Sequence, residues 1–104
     1  HTCGNTMDRM SYFAEAGFDA FHFDSRNDPR KSLEIMGNKV LLTGCVNNPQ
    51  TLLNGTTEDV KREVNNILDA GIKLISPECA IPCRVPNRNL LEIVKTARSY
   101  GKKQ

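Results

Sequence analysis

No apolar run in this sequence approaches the roughly 18 to 20 residues needed to cross a bilayer, and no basic segment leading into an apolar one precedes the first motif. Neither a membrane span nor a secretory leader is expected, and the chain reads as cytoplasmic. An excess of one charge is also missing. The formal net charge is +2, with 14 basic residues interspersed among 12 acidic ones apart from short patches such as Arg30-Lys31 and Lys102-Lys103. Nucleic acid is therefore not an expected partner. Length excludes a second domain: 104 residues, 38% hydrophobic and 25% charged, make one small domain of ordinary soluble composition.

Four cysteines in a chain of this size would suit two disulfides in a secreted protein. Their setting argues for reduced thiols. Cys45 lies inside the apolar run Val40-Leu41-Leu42-Thr43-Gly44-Cys45-Val46, and Cys79 and Cys83 follow another strand-like run. The sulfurs thus sit in regular α/β elements and not in a loop-rich stapled scaffold.

The chain repeats one unit: an amphipathic helix, a glycine, then a short apolar strand. Ala16-Gly17-Phe18, Met36-Gly37-Asn38 and Ala70-Gly71-Ile72 are such junctions, and a fourth helix is expected to stop at Tyr100-Gly101. The first helix is expected over 6–16, burying Met7, Met10, Phe13 and Ala14 at spacings of three and four. Its strand is Ala20-Phe21-His22-Phe23-Asp24, with Ala20, His22 and Asp24 on one face and both phenylalanines on the other. The second helix starts from Asp28 as N-cap with Pro29 in first position and buries Leu33 and Met36. The strand at 39–46 is nearly continuous in apolar character, as for a parallel strand covered on both faces. Thr56-x-x-Asp59 has capping-box spacing ahead of Val60, Val64, Ile67 and Leu68. A strand at 72–76, a loop with Pro77, Pro82 and Pro86, and a helix from about Asn87 burying Leu90, Leu91, Val94 and Ala97 complete the chain.

Strands alternating with helices imply parallel strands joined by right-handed crossovers, in a barrel or an open doubly wound sheet. Three strands cannot close a barrel, and the repeat calls for one more strand directly before His1. The expectation is a partial barrel, residues 1–104 forming one piece of a larger α/β barrel, with an upstream strand ending at residue 1. Such a piece exposes apolar edges unless another polypeptide supplies the rest.

His1-Thr2-Cys3 and the distant Cys79 form a split set of soft ligands. With a strand ending before His1, both parts fall at strand carboxyl ends, on the rim where α/β barrels carry their active sites. Three ligands leave one coordination position open, as catalytic zinc requires. A frayed first residue, whose own α-amine could chelate metal, is the ordinary alternative for His1; a buried strand-end thiol is that for Cys79.

The stretches His1-Thr2-Cys3-Gly4-Asn5, Gly44-Cys45-Val46-Asn47-Asn48-Pro49 with Leu52-Leu53-Asn54-Gly55-Thr56, and Pro77-Glu78-Cys79-Ala80-Ile81-Pro82 together resemble the C-terminal part of methylcobamide:coenzyme M methyltransferases of the methylamine-pathway type. These belong to the uroporphyrinogen decarboxylase-like superfamily of TIM barrels, and the resemblance covers essentially the whole chain. It implies the segment after the fifth strand through the eighth strand and last helix of a TIM (β/α)8 barrel, the N-terminal half being missing. It also implies methyl transfer from a methylcobamide on a separate corrinoid protein to the thiol of coenzyme M, with Zn2+ on His1, Cys3 and Cys79. A zinc-bound thiol is deprotonated and can attack the methyl group. Another thiol acceptor, or a half-barrel that binds zinc or a partner chain without turnover, are the alternative readings.

Several residues carry two readings. Asp24 matches by spacing a glutamate that ligates zinc in the distantly similar cobalamin-independent methionine synthases; a helix cap or a hydrogen bond from behind a ligand is its other role. Asn47 and Asn48 either contact substrate or corrinoid, or form the turn ahead of Pro49. Cys79-x-x-x-Cys83 could itself be a metal pair, but the resemblance selects Cys79 and leaves Cys83 structural. Cys45 reads as a small core residue, and His22 as an interior histidine or a contact behind the ligands. Arg84 could pair with the sulfonate of coenzyme M, or be a solvated loop arginine.

Overall fold

The structure, a computed structural model, describes residues 1–102; of the basic patch Lys102-Lys103, position 103 lies outside them. A single 3-10 turn over Met7–Arg9 leads into α1 (Met10–Glu15), followed by β1 (Ala20–Phe23), α2 (Pro29–Met36), β2 (Leu41–Val46), a π-helical segment over Asn48–Leu53, α3 (Thr57–Ala70), β3 (Leu74–Pro77) and α4 (Asn87–Lys102). The strands form one parallel sheet in the order β1-β2-β3. His22 is in register with Thr43 and Thr43 with Leu74. Helix α1 packs on α2, α2 on α3 and α3 on α4. Sequential strand order with neighbouring helices in contact places the helices in one layer on one face of the sheet, which is how a barrel segment is built.

The core lies between these layers. Phe21, Phe23, Leu42 and Val46 meet Met10, Met36, Val60, Val64 and Ile67, all buried. Alternation in β1 is as expected, the two phenylalanines turned to the helices and Ala20 and His22 to the opposite face. That opposite face is open: Leu41 and Leu74 keep 49% and 51% of their surface exposed.

Local chemistry sets the helix ends. Asp28 accepts from the N–H groups of Arg30 (2.8 Å) and Lys31 (3.0 Å), with Pro29 in first position. The capping box of α3 is complete, Thr56 N donating to Asp59 at 2.9 Å and Asp59 N to Thr56 Oγ1 at 3.2 Å. Gly17, Gly37 and Gly71 follow α1, α2 and α3 with positive φ.

Five expectations shift. Helix α1 begins at Met10 and not at Thr6, because Thr6 is buried and its N–H donates to Asn27 (2.8 Å). The second strand begins at Leu41, since Lys39 N still donates to the end of α2 at Met36 O. The third begins at Leu74, because Ile72 N is bonded to Ile67 O. In α4 the buried face runs through Asn89, Ile93 and Thr96, leaving Leu91 and Val94 exposed. Asn89 Nδ2, donating to Leu52 O at 2.8 Å and Gly55 O at 3.1 Å, fixes the helix rotation. Gly101 lies inside α4 and does not stop it; glycine in an exposed helical turn costs about 1 kcal/mol and is tolerated.

In β2, the Gly44–Cys45 peptide is cis, and Gly44 has φ 127°. A Cβ on Gly44 would lie 2.5 Å from Phe23 O. Gly44→Ala is expected to destabilise the fold by at least about 2 kcal/mol, read from urea denaturation. Hydrogen bonds from Thr56 lower the Asp59 carboxyl below its ordinary value of 3.8. Its stabilisation is thus complete above that value and is lost as pH falls through the lowered folded value. Asp59→Asn should therefore melt below wild type at neutral pH, with the gap closing on acidification under 3.8; thermal melts across pH check this.

Candidate metal centre

The carboxyl ends of all three strands and the first six residues form one rim. Thr2 pairs in parallel fashion with Phe23, and its N–H donates to His22 O at 3.3 Å, so the chain start lies along the free edge of β1. This edge contact carries His1 and Cys3 to the rim. The end of β3 carries Cys79 to the same place.

His1 Nδ1 lies 3.1 Å from His22 O, and His1 Nε2 lies 3.1 Å from Cys3 Sγ. A carbonyl only accepts, so Nδ1 bears the proton and the Nε2 lone pair faces the sulfurs. Cys3 Sγ and Cys79 Sγ are 3.4 Å apart. The three donor atoms all lie within 4.8 Å of one another. His1 and Cys3 are exposed and Cys79 half-buried, so the cluster is open to solvent on one side.

Its electrostatics favour a cation. Contact with the Cys79 thiol, some desolvation and the negative charges of Asp24 and Glu78 raise the pKa of the Cys3 thiol. The Cys3 thiol therefore resists ionisation until positive charge is added. One imidazole and two thiols are borderline-soft donors that fit zinc, and the residues present suit that ion. Among the described residues no further His, Cys, Asp or Glu joins the cluster.

Asp24 stands behind this cluster. It is buried, and its two oxygens accept from Gly4 N and Arg26 N, each at 2.9 Å. Burial opposes its ionisation, but those N–H groups and the Arg26 charge outweigh it and lower the carboxyl pKa. Asn47 caps the π-helical segment: its Oδ1 accepts from Gln50 N (2.7 Å) and Thr51 N (3.3 Å), and its Nδ2 donates to Ser25 Oγ (2.9 Å). Asn48 is buried, its Nδ2 on Ala80 O at 3.0 Å and its Oδ1 without a protein partner. Cys45 is a core thiol pushed up to about 12 by burial. Cys83 and Arg84 are exposed, and Cys83 is outside the cluster.

Three rim residues escaped the sequence reading. Glu78 is 6% exposed, and its carboxylate accepts from Ser25 N (2.9 Å), Ser25 Oγ (2.5 Å) and Asn48 N (2.8 Å). It ties together the ends of β1, β2 and β3 immediately before Cys79. A carboxylate between a strand-ending proline and a candidate ligand was the available signal. Asn27 is fully buried; its Oδ1 accepts from Thr6 N at 2.8 Å, and its Nδ2 donates to Gly4 O and Asp24 O, each at 3.0 Å. Nothing local in the sequence marks it. Ser25 is legible only through Glu78 and Asn47.

The sequence profile of the family described as uroporphyrinogen decarboxylase (URO-D) matches residues 1–100. The chain belongs to this family. It is 33% identical over 100 residues to the methylcobamide:CoM methyltransferase MtbA of Methanosarcina acetivorans, covering 96% of this chain and 29% of that protein. To the methylcobamide:CoM methyltransferase MtaA of Methanosarcina barkeri it is 28% identical over 101 residues, covering 96% and 30%. A solved methyltransferase structure from Methanosarcina mazei superposes with a TM-score of 0.91 at 29% identity, covering 95% of this chain and 30% of that one. The α/β sheet with its one helical layer is thus a partial barrel of this URO-D family member, and the chain spans under a third of the length of these relatives.

If Glu78 holds the rim, Glu78→Gln puts an amide N–H against donors that need an acceptor. A loss of roughly 2 kcal/mol or more in urea denaturation is expected.

Proposed function

We propose that this chain is the metal-holding part of a methyltransferase that moves a methyl group from a methylcobamide on a corrinoid protein to the thiol of coenzyme M. The observation that carries the reading is the convergence of His1 Nε2, Cys3 Sγ and Cys79 Sγ within 4.8 Å on the rim, in a chain similar over 96% of its length to proteins named methylcobamide:CoM methyltransferases. When bound, zinc would supply Lewis acidity that turns a thiol substrate into a thiolate at neutral pH.

The chain's own residues do the remaining work. His22 O holds the His1 tautomer that presents Nε2. Cys3 and Cys79 would hold the metal as thiolates, so its affinity would rise with pH. Asp24 anchors the Cys3-Gly4 turn through Gly4 N, and takes this supporting role rather than that of a fourth ligand. Asn47 and Asn48 stand on the same rim, beside Ser25 and Ala80, where a substrate or corrinoid would approach.

In this reading residues 1–104 correspond to the segment after strand 5 through strand 8 of the barrel. The N-terminal half would cover the open sheet face at Leu41 and Leu74 and the outer face of α4 at Leu91 and Val94, all exposed here. The chain's share of its relatives, 29% and 30%, favours a second reading in which the chain alone binds metal without turnover.

Metal analysis of the purified chain beside its Cys3→Ser and Cys79→Ser variants tests the ligands. About one equivalent of zinc is expected, falling to substoichiometric levels with either substitution. Retention by both variants would overturn the assignment. A coenzyme M methylation assay on the same samples, with a methylated corrinoid protein as donor and with or without the N-terminal half, separates the two readings.

A further inference from the structure

His22 touches both halves of the split metal cluster, through different atoms. Its backbone oxygen accepts from Thr2 N (3.3 Å) and from His1 Nδ1 (3.1 Å). Its imidazole lies against that of His1, ring centroids 4.5 Å apart at 37°. On the other side, His22 Nε2 lies 2.6 Å from Pro77 O, two residues before Cys79. That carbonyl only accepts, so His22 bears its proton on Nε2.

The reach is unusual for the topology. His22 is on β1 and Pro77 on β3, and β2 lies between them in the sheet. The ring has to cross β2 on the open face, and it does so beside Gly44, which pairs with Phe23. A Cβ on Gly44 would sit 3.4 Å from His22 Cδ2, in van der Waals contact with the ring.

We infer that His22 is a positioning residue of the metal centre, setting the His1 imidazole and the strand end that delivers Cys79 at one separation. The inference rests on the ligand set proposed above and adds a residue that is not itself a ligand. A ligand imidazole is oriented by what its second nitrogen binds, and removing such outer partners weakens metal binding by about 10- to 100-fold. His22 supplies that partner from its backbone. Its ring adds what the backbone cannot, a direct tie from His1 to the Cys79 segment.

Two variants separate the ring's roles: His22→Phe keeps an aromatic ring beside His1 but has no donor for Pro77 O, and His22→Gln keeps a donor without the ring. Zn2+ affinity of the full chain is measured by competition with a chromophoric chelator, and Co2+ binding by the thiolate-to-cobalt absorption band. His22→Phe is expected to bind Zn2+ at least about 10-fold more weakly, with a diminished cobalt–thiolate band and a wild-type far-UV spectrum. His22→Gln should recover part of both. Wild-type affinity and an unchanged cobalt band in His22→Phe would overturn the positioning role while leaving the ligand set intact. A wild-type chain that takes up neither metal would overturn both.

Discussion

Three strand ends meet at one buried carboxylate. Glu78 takes hydrogen bonds from Ser25 after β1 and from Asn48 after β2, and itself follows β3. Parallel strands leave their carboxyl ends joined only by loops, so something must fix the loops to one another. Hydrogen bonds to a charged acceptor contribute about 1.5–3 kcal/mol each, against about 5–15 kcal/mol for a whole domain. Apolar contact between exposed loops could not set the same separation, since it lacks direction. Cys79 is the next residue, and its place on the rim follows from this clamp.

A second set of ties holds the other half of the cluster. Asp24 takes Gly4 N, and Asn27 takes Thr6 N and returns donors to Gly4 O and Asp24 O. The segment carrying His1 and Cys3 is therefore bound to the loop after β1 by polar contacts at close distance. Ser25 lies in that same loop and reaches Glu78, so the segments carrying Cys3 and Cys79 share one network. That network also concentrates negative charge: after the contact with Cys79, which is the main cause, Asp24 and Glu78 add to the raising of the Cys3 thiol. One arrangement thus fixes the donors and favours the arrival of a cation.

Much of this was legible in the sequence, and the limit is physical. The glycine stops, the Asp28 and Thr56 caps, the alternation in β1 and the soft-ligand pattern are all local or carried by residue type. They predicted the alternation of the four main helices with three strands, the parallel sheet and the residues that meet at the rim, but not the π-helical segment over Asn48–Leu53. Asn27, Glu78 and the bridging ring of His22 act through contacts to distant segments, and their residue types have many other uses. Helix α4 shows the same limit in a different form. Leu91 and Val94 satisfy an apolar periodicity as well as Ile93 does, and the rotation is settled by Asn89 gripping Leu52 O and Gly55 O. Where two apolar stripes compete, a polar anchor decides, and periodicity does not reveal it.

The site and the fold are thermodynamically one problem. Whatever binds the native chain and not the unfolded one stabilises it, by about 1.4 kcal/mol for each tenfold excess over Kd. A cation held by His1, Cys3 and Cys79 would place that gain between the free edge of β1 and the end of β3, across the full width of the sheet. Metal stabilisation would reinforce the rim, already tied by Glu78 and Asn27. At the opposite end of the strands, Leu41 and Leu74 remain exposed and receive nothing from it. Burying those leucines needs apolar surface, which in a barrel comes from further strands and lumen side chains. The three donor atoms can therefore be ordered by this chain's own contacts, whereas covering the open face of the sheet takes apolar surface from beyond the described residues.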